Sequence, residues 1–164
     1  VALLKKQGYK NLEAFITGNP SNDSDRLHLA DLRQLADSLG ISHDVEFNPA
    51  IPRPQLPALN SSMDIYVNLT PAGFGDKVAW EAMACETPTL VSNTDFAETL
   101  GVYKEQLLFE VGNEADLAQK IEALLLKPQE EMNAMGRYLR EQVIALHSLE
   151  RLPVKVLSLL KRQR

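Results

Sequence analysis

Cysteine is nearly absent from the sequence, and long hydrophobic runs are missing. Cys85 is the only cysteine among 164 residues, so an internal disulfide is excluded and a reducing compartment is favoured. No apolar stretch approaches the ~18 residues of a membrane span. The N-terminal residues VALLKKQGYK also lack the apolar core and cleavage site of a signal peptide. We therefore expect a soluble, cytoplasmic protein.

An excess of positive charge is also absent, because 17 lysine and arginine residues are outnumbered by 22 aspartate and glutamate residues. The net charge is −5 and the isoelectric point is about 5.2, which disfavours a surface built to neutralise many nucleic-acid phosphates. A small phosphorylated ligand is still compatible with this charge, because backbone amides can hold it locally. The histidines His28, His43 and His147 lie in separate segments without ligand spacing, so no metal site is predicted.

Several nucleotide and hydrolase motifs are absent. The sequence has neither a Gly-x-Ser-x-Gly motif nor a Walker lysine. The first strand-to-turn segment, ITGNPSND, lacks the Gly-x-Gly-x-x-Gly spacing that brings a pyrophosphate to a helix N-terminus. A nicotinamide dinucleotide domain is therefore disfavoured.

Strand-like and helix-like segments alternate along the chain, which predicts an α/β fold with a Rossmann-like parallel sheet covered by helices on both faces. The predicted strands lie in LEAFITG, HDVEF, MDIYVNLT, TPTLVS and QLLFEVG. The main predicted helices span residues 26–39, 114–127, 129–147 and 154–160. No linker divides the chain, so we predict a single domain over residues 1–164. Because the chain begins with valine inside a predicted helix, we expect it to be a fragment.

The segment PAGFGDKVAWEAMACETP, residues 71–88, follows the third predicted strand. Gly73 and Gly75 permit a tight turn, and either Asp76 or Lys77 begins the next helix. Such a turn at the carboxyl end of a parallel strand offers free amides to an anion such as a diphosphate. The alternative is a tightly packed turn that binds nothing.

Glu81 is the only carboxylate between residues 78 and 84, and the other six residues of that stretch are apolar. A carboxylate on such a helix must be paired or hydrogen-bonded, because stranding it would cost several kcal/mol. Lys77, one turn earlier, is one possible partner. The other is a pair of ligand hydroxyls, such as those of a ribose, which a carboxylate accepts in bidentate fashion.

These residues carry a resemblance to a known family. MDIYVNLTPAGFGDKVAWEAMACETPTLVSNTDFAETLG resembles the donor-binding core of the GT-B retaining glycosyltransferases, particularly family 4 (glycosyl transferases group 1). In that family a strand leads into Glu-Gly-Phe-Gly, then four residues, then Glu-Ala-Met-Ala-Cys. A weaker likeness extends the similarity to residues 12–127. The resemblance implies the Rossmann-like, C-terminal half of a GT-B fold.

The resemblance assigns roles to particular residues. Glu81 matches the second glutamate of the family's Glu-seven-residues-Glu motif, which holds the donor ribose. The turn residues are assigned to the donor sugar and diphosphate; they are Gly73, Phe74, Gly75, Asp76 and Lys77. The loop after the second strand is assigned to the base; it comprises Asn48, Pro49, Ala50 and Ile51. The catalytic residues stay unassigned.

The sequence departs from the family pattern at the first glutamate, where it has Ala72 or Gly73 depending on the alignment, and at Glu86, where the family usually has glycine. Some similar members also replace the first stretch with a small-residue turn followed by Asp-Lys. Asp95 and Glu98 follow the fourth strand at the same rim of the sheet, and the resemblance places a similar glutamate there. Helix capping is an equal explanation for them.

The resemblance implies an enzyme that transfers a sugar from a UDP- or GDP-type nucleotide-sugar to an acceptor with retention. No metal or other cofactor is expected, and the N-terminal, acceptor-binding domain is missing, so the isolated chain is expected to be inactive. The basic C-terminal residues KRQR suggest a peripheral membrane contact. The alternative function is a degenerate, non-catalytic Rossmann-like module that binds a nucleotide or another protein.

Overall fold

The computed structural model of the chain describes residues 1–151 together with Pro153 and Leu157. The chain divides into two compact units, Val1–Leu56 and Pro57–Arg164. The single domain predicted for residues 1–164 stays a prediction. The helix predicted at 154–160 falls on residues of which the structure describes only Leu157, and the basic tail lies outside the described residues.

The first unit is a parallel strand pair with helices. Its elements are α1 (Ala2–Lys6), β1 (Ala14–Thr17), α2 (Asp23–Ser38), β2 (Val45–Asn48) and a 3-10 turn (Arg53–Gln55). Strands β1 and β2 are parallel, with Ala14 opposite Val45 and Thr17 opposite Asn48. Helix α2 begins where the Asn22 side chain accepts the Asp25 amide hydrogen, as asparagine does at a helix N-cap.

The second unit contains a second parallel pair and most of the buried core. Its elements are α3 (Leu56–Ser62), which starts at the boundary, β3 (Tyr66–Asn68), α4 (Lys77–Ala84), β4 (Thr89–Val91), α5 (Ala97–Leu100), α6 (Lys104–Leu107), α7 (Glu114–Leu125) and α8 (Gln129–His147). Three further 3-10 turns span Thr94–Phe96, Gly101–Tyr103 and Leu149–Arg151. Strands β3 and β4 are parallel, and a single parallel bridge joins Val91 to Leu108.

The core of the second unit lies between α4, β4 and α8. All three residues of β4 are buried, because the strand is covered on both faces. Trp80 of α4 packs against Phe96 at a ring-centroid distance of 5.2 Å and stacks on His147 at 4.2 Å. This burial explains why α4 is apolar, and it leaves only part of the helix facing outward.

The predicted α/β class, with parallel strands and surrounding helices, is confirmed. The prediction of a fifth strand at QLLFEVG is wrong, because Gln106 and Leu107 end helix α6 and only Leu108 forms a bridge. Residues 104–107, Lys-Glu-Gln-Leu, are all good helix formers, and Leu107 buries its side chain fully from the helical turn. The helix propensity of residues 104–107 therefore outweighs the strand signal of the apolar residues in QLLFEVG.

Helix α8 approaches the turn between α4 and β4 so closely that the helix requires a glycine, Gly136, at the point of contact. A Cβ atom added to Gly136 would lie 1.9 Å from the carbonyl oxygen of Glu86. Glu86 itself has a φ of +64°, in the left-handed region. Its backbone conformation gives a physical reason for the glycine that the family usually has at this position.

We expect Gly136→Ala to lower the free energy of unfolding by about 1–3 kcal/mol, because neither the helix nor the facing carbonyl can yield without moving backbone. Thermal and urea unfolding followed by circular dichroism measure the change. Gly75→Ala is the control, because a Cβ there meets no atom within 4 Å. If Gly136→Ala is as stable as this control, the close packing of α8 on Glu86 is wrong.

Candidate functional site

The loop between β3 and α4 forms the centre of the candidate site. Gly73 has a φ of +87°, which glycine adopts without steric cost. Helix α4 begins at Lys77, and Asp76 is its N-cap residue. The predicted turn, and the predicted helix start at Asp76 or Lys77, are confirmed.

Asp76 closes the loop by hydrogen bonds to both of its ends. Its Oδ2 accepts from the Asn68 side-chain amide at 2.7 Å and from the Thr70 hydroxyl at 2.5 Å. Its Oδ1 accepts the Val78 amide hydrogen at 3.2 Å, which caps α4. The side chain of Asp76 is therefore engaged inside the protein, and its structural role is to tie the end of β3 to the start of α4.

The hydrogen bonds to Asp76 also control its titration. Burial by itself would raise the pKa of Asp76, but the hydrogen bonds from Thr70, Asn68 and the Val78 amide outweigh it, and the pKa lies below its usual value. A depressed pKa means that the folded protein binds this proton more weakly than the unfolded chain does. The carboxylate therefore contributes stability at neutral pH that is lost as the pH falls through the folded pKa.

Residues that follow β4 also hold the loop, at Gly73 and Phe74. The Asp95 carboxylate accepts the Gly73 amide hydrogen at 2.8 Å. The fully buried Asn93 donates from its side-chain amide to the Phe74 carbonyl at 3.1 Å and accepts the Asp95 amide hydrogen at 2.8 Å. Asn93, not Asp95, caps the turn at Thr94–Phe96. The capping explanation for Asp95 is therefore wrong, because its carboxylate crosses to the glycine loop.

The remaining predicted residues of the loop face solvent. Phe74 is 66% exposed, and Gly75 and Lys77 are also exposed. Lys77 places a positive charge at the N-terminal end of α4, the end toward which free amides point. The loop thus presents backbone and one lysine to solvent while its own carboxylate, Asp76, is turned inward.

Glu81 is half-buried on α4, one turn after Lys77. Burial raises the pKa of the Tyr66 phenol, and the negative charges of Asp76 and Glu81 raise it further. Because Tyr66 belongs to β3, Glu81 lies close enough to this strand for its charge to act there. The structure therefore brings Glu81, the helix start and the loop together within the second unit.

The predicted base loop, Asn48 to Ile51, belongs to the first unit. The Ala50 amide donates to the Asn19 side-chain oxygen at 3.0 Å, which ties this loop to the one after β1. A cavity of about 380 Å³ opens beside both loops, and its lining includes Asn19, Asn48 and Pro49. This volume lies within the range of about 300–1,000 Å³ that is typical of small-molecule pockets.

Sequence reasoning missed three residues that shape the site: Asn68, Thr70 and Asn93. Asn68 and Thr70 lie at the end of β3, and Asn93 lies just after β4. Asparagine and threonine at or just after the ends of strands were the available signal, because such side chains hydrogen-bond local backbone and turn residues. Their partners lie 6 to 19 residues away in sequence, which no local pattern reveals.

Comparison with known proteins identifies the family. Residues 1–142 match the sequence model of the glycosyl transferases group 1 family. The chain belongs to this family, because the match covers most of its 164 residues. No curated protein matches the sequence significantly.

Solved structures of glycosyltransferases share the fold at low sequence identity. Sucrose-phosphate synthase from Thermosynechococcus elongatus is 19% identical with a TM-score of 0.77, over 99% of this chain and 48% of its own. HepE from Anabaena, in complex with UDP and glucose, is 17% identical with a TM-score of 0.82, over 98% of this chain and 43% of its own. The catalytic domain of cholesterol-alpha-glucosyltransferase from Helicobacter pylori is 17% identical with a TM-score of 0.62, over 82% of this chain and 98% of its own.

These similarities confirm the Rossmann-like fold and the sequence resemblance to GT-B glycosyltransferases. The chain spans less than half the length of the first two proteins. Within the part of the chain that the structure describes, no helix is long and apolar enough to cross a membrane. Among the same residues, no three or more histidine, cysteine or acidic side chains come together as metal ligands.

We expect Asp76→Ala to lower the free energy of unfolding near pH 7 by about 1–2 kcal/mol, the usual cost of losing an N-cap side chain. The difference from the wild type should shrink as the pH falls below about 4 and on through the lower pKa of the folded state, because the unfolded chain takes up the proton first and the folded carboxylate last. Urea unfolding over a series of pH values measures this. Asp64→Ala, which removes an exposed carboxylate from the same unit, is the control. A stability difference that does not change with pH would contradict the role of the Asp76 charge.

Proposed function

We propose that the chain is the donor-binding part of a retaining, family 4 glycosyltransferase, which transfers a sugar from a UDP- or GDP-type nucleotide-sugar to an acceptor. The observation that carries the proposal is the position of Glu81, half-buried on α4 and one turn beyond the glycine loop. A carboxylate there can accept two ribose hydroxyls while the diphosphate of the same nucleotide lies at the helix start.

In this proposal the loop binds the diphosphate through its backbone and Lys77. Asp76 contributes through its place at the start of α4 and not through its carboxylate, because Asn68 and Thr70 already bind that carboxylate. The Gly73 amide donates to Asp95, so the amides from Gly75 to Lys77 are the better candidates for phosphate. Phe74 and Gly73 then lie against the donor sugar. A positive helix end and one lysine suit a doubly charged leaving group.

The family resemblance assigns the base to the loop Asn48 to Ile51, and the first unit by itself contains this loop. Its support is the cavity of about 380 Å³ beside this loop, whose lining is partly apolar. Phe47 contributes an aromatic ring to this lining, and the Arg33 guanidinium lies 5.6 Å from the centre of that ring. An aromatic ring and a planar cation suit a flat heterocycle. The similarity to HepE, solved with UDP and glucose, favours a UDP-type donor.

The acceptor site and the catalytic residues belong, in this proposal, to a longer protein that carries an N-terminal acceptor-binding domain. The chain alone should bind the donor weakly and transfer nothing. We expect no metal or other cofactor, a cytoplasmic location, no binding to nucleic acid, and a possible peripheral membrane contact through the basic tail.

A second candidate function is a non-catalytic nucleotide-binding or protein-interaction module. The observation that favours it is specific: the family's first glutamate is replaced by Ala72 or Gly73, neither of which brings a side-chain acceptor to the loop. Nucleotide binding that depends on Glu81 supports the donor site. The absence of such nucleotide binding favours a protein-interaction module.

We expect Glu81→Gln to weaken nucleotide binding by roughly tenfold, because it replaces a charged acceptor of two hydroxyls by a neutral one. Calorimetric titration of the chain with UDP, GDP and ADP measures this and identifies the base. Glu141→Gln, which removes an exposed carboxylate from α8, is the control. If the wild-type chain binds no nucleotide at millimolar concentration, or if both variants behave alike, the donor-site proposal fails.

A further inference from the structure

The charge at the glycine loop is distributed unevenly between its two sides. Lys77 and the amides that begin α4 form the end of the loop, here called the Lys77 side. The Asp95 carboxylate accepts the amide of Gly73 at 2.8 Å, four residues earlier, here called the Asp95 side. A diphosphate carries negative charge and is repelled by a carboxylate at such short range. The phosphates must therefore lie on the Lys77 side. The group that is bonded to the diphosphate then faces Asp95.

Asp95 is held in a fixed position, although it is exposed to solvent. Its own amide donates to the side chain of the fully buried Asn93, which also binds the Phe74 carbonyl. One asparagine therefore positions both the backbone of Asp95 and the loop that the Asp95 carboxylate contacts. A side chain fixed in this way is prepared to bind a ligand without a large loss of conformational freedom.

The carboxylate of Asp95 also has acceptor capacity beyond the Gly73 bond. An ionised carboxylate offers about four lone-pair positions, and the Gly73 amide uses one position on Oδ2. Sugar hydroxyls are neutral donors and suit these acceptors. A phosphate has no hydrogen to donate when it is fully ionised.

We propose that Asp95 is a sugar-binding residue of the donor site, which accepts hydroxyl hydrogens from the sugar while the Gly73 amide holds it in place. This inference rests on the proposed function. It adds a side-chain acceptor for sugar hydroxyls, which the side chains of the glycine loop itself do not supply. It assigns the donor sugar to the Asp95 side of the loop and the diphosphate to the Lys77 side. Asp95 thereby selects a sugar with free hydroxyls at this position.

The test compares the nucleoside diphosphate that binds the wild-type chain, UDP or GDP, with its sugar conjugate, UDP-glucose or GDP-mannose. Asp95→Asn removes the charge but keeps an oxygen that can accept the Gly73 amide. We expect it to weaken binding of the conjugate by roughly tenfold and to change binding of the nucleoside diphosphate, in either direction, by less than about twofold. Unchanged amide resonances of Gly75 and Val78, which do not bind Asp95, show in NMR spectra that the rest of the loop and the start of α4 are intact. Glu141→Gln, on α8, is the matched control for loss of one exposed charge.

The possible outcomes separate the two proposals. Equal weakening of both ligands, no change in either, or tighter binding of both would overturn the role of Asp95 while the donor site stands. Tighter binding of both would mean that the carboxylate competes with phosphate for the Gly73 amide. If the wild-type chain binds neither UDP nor GDP, the proposed function fails and this inference fails with it.

Discussion

The central constraint of the structure is a glycine loop that must leave β3 and enter α4 within a few residues. Two carboxylates hold it: Asp76 from the inside, through Asn68 and Thr70, and Asp95 from the outside, through Gly73. A loop with a left-handed glycine costs conformational entropy to order, and these bonds offset that cost. The positions of the loop amides relative to Glu81 depend on both attachments, and so does any ligand that contacts both.

The charges that the loop and α4 present to solvent follow from these hydrogen bonds. Asp76 is turned inward and its pKa is depressed by its hydrogen bonds, so the first turn of α4 presents Lys77 to solvent in place of a carboxylate. Glu81 lies further along the same helix, and its charge reaches Tyr66 on β3. The second unit thus carries a helix N-terminus with Lys77 and the Glu81 carboxylate on one short helix, and the proposed function assigns the diphosphate to the first and the ribose hydroxyls to the second.

Much of this could be predicted from the sequence, because it depends on local patterns. The left-handed turn at Gly73, the start of α4 at Lys77 and the parallel α/β class follow from glycine placement and from alternating strand and helix segments. The fifth strand was predicted wrongly, because the apolar run that begins at Leu107 conceals the helix propensity of residues 104–107. The links from Asn93 to Phe74 and from Asp95 to Gly73 span 19 and 22 residues, and only the fold brings such partners together.

The most direct test of the account is a map of backbone amide shifts in NMR spectra of the chain during titration with UDP or GDP. We predict that the largest changes occur at Gly75, Asp76 and Lys77, with further changes around Glu81 on α4. Such a pattern would place the diphosphate at the helix start and the ribose one turn beyond it. Saturable changes confined to other parts of the second unit, with residues 73–81 unaffected, would contradict the account.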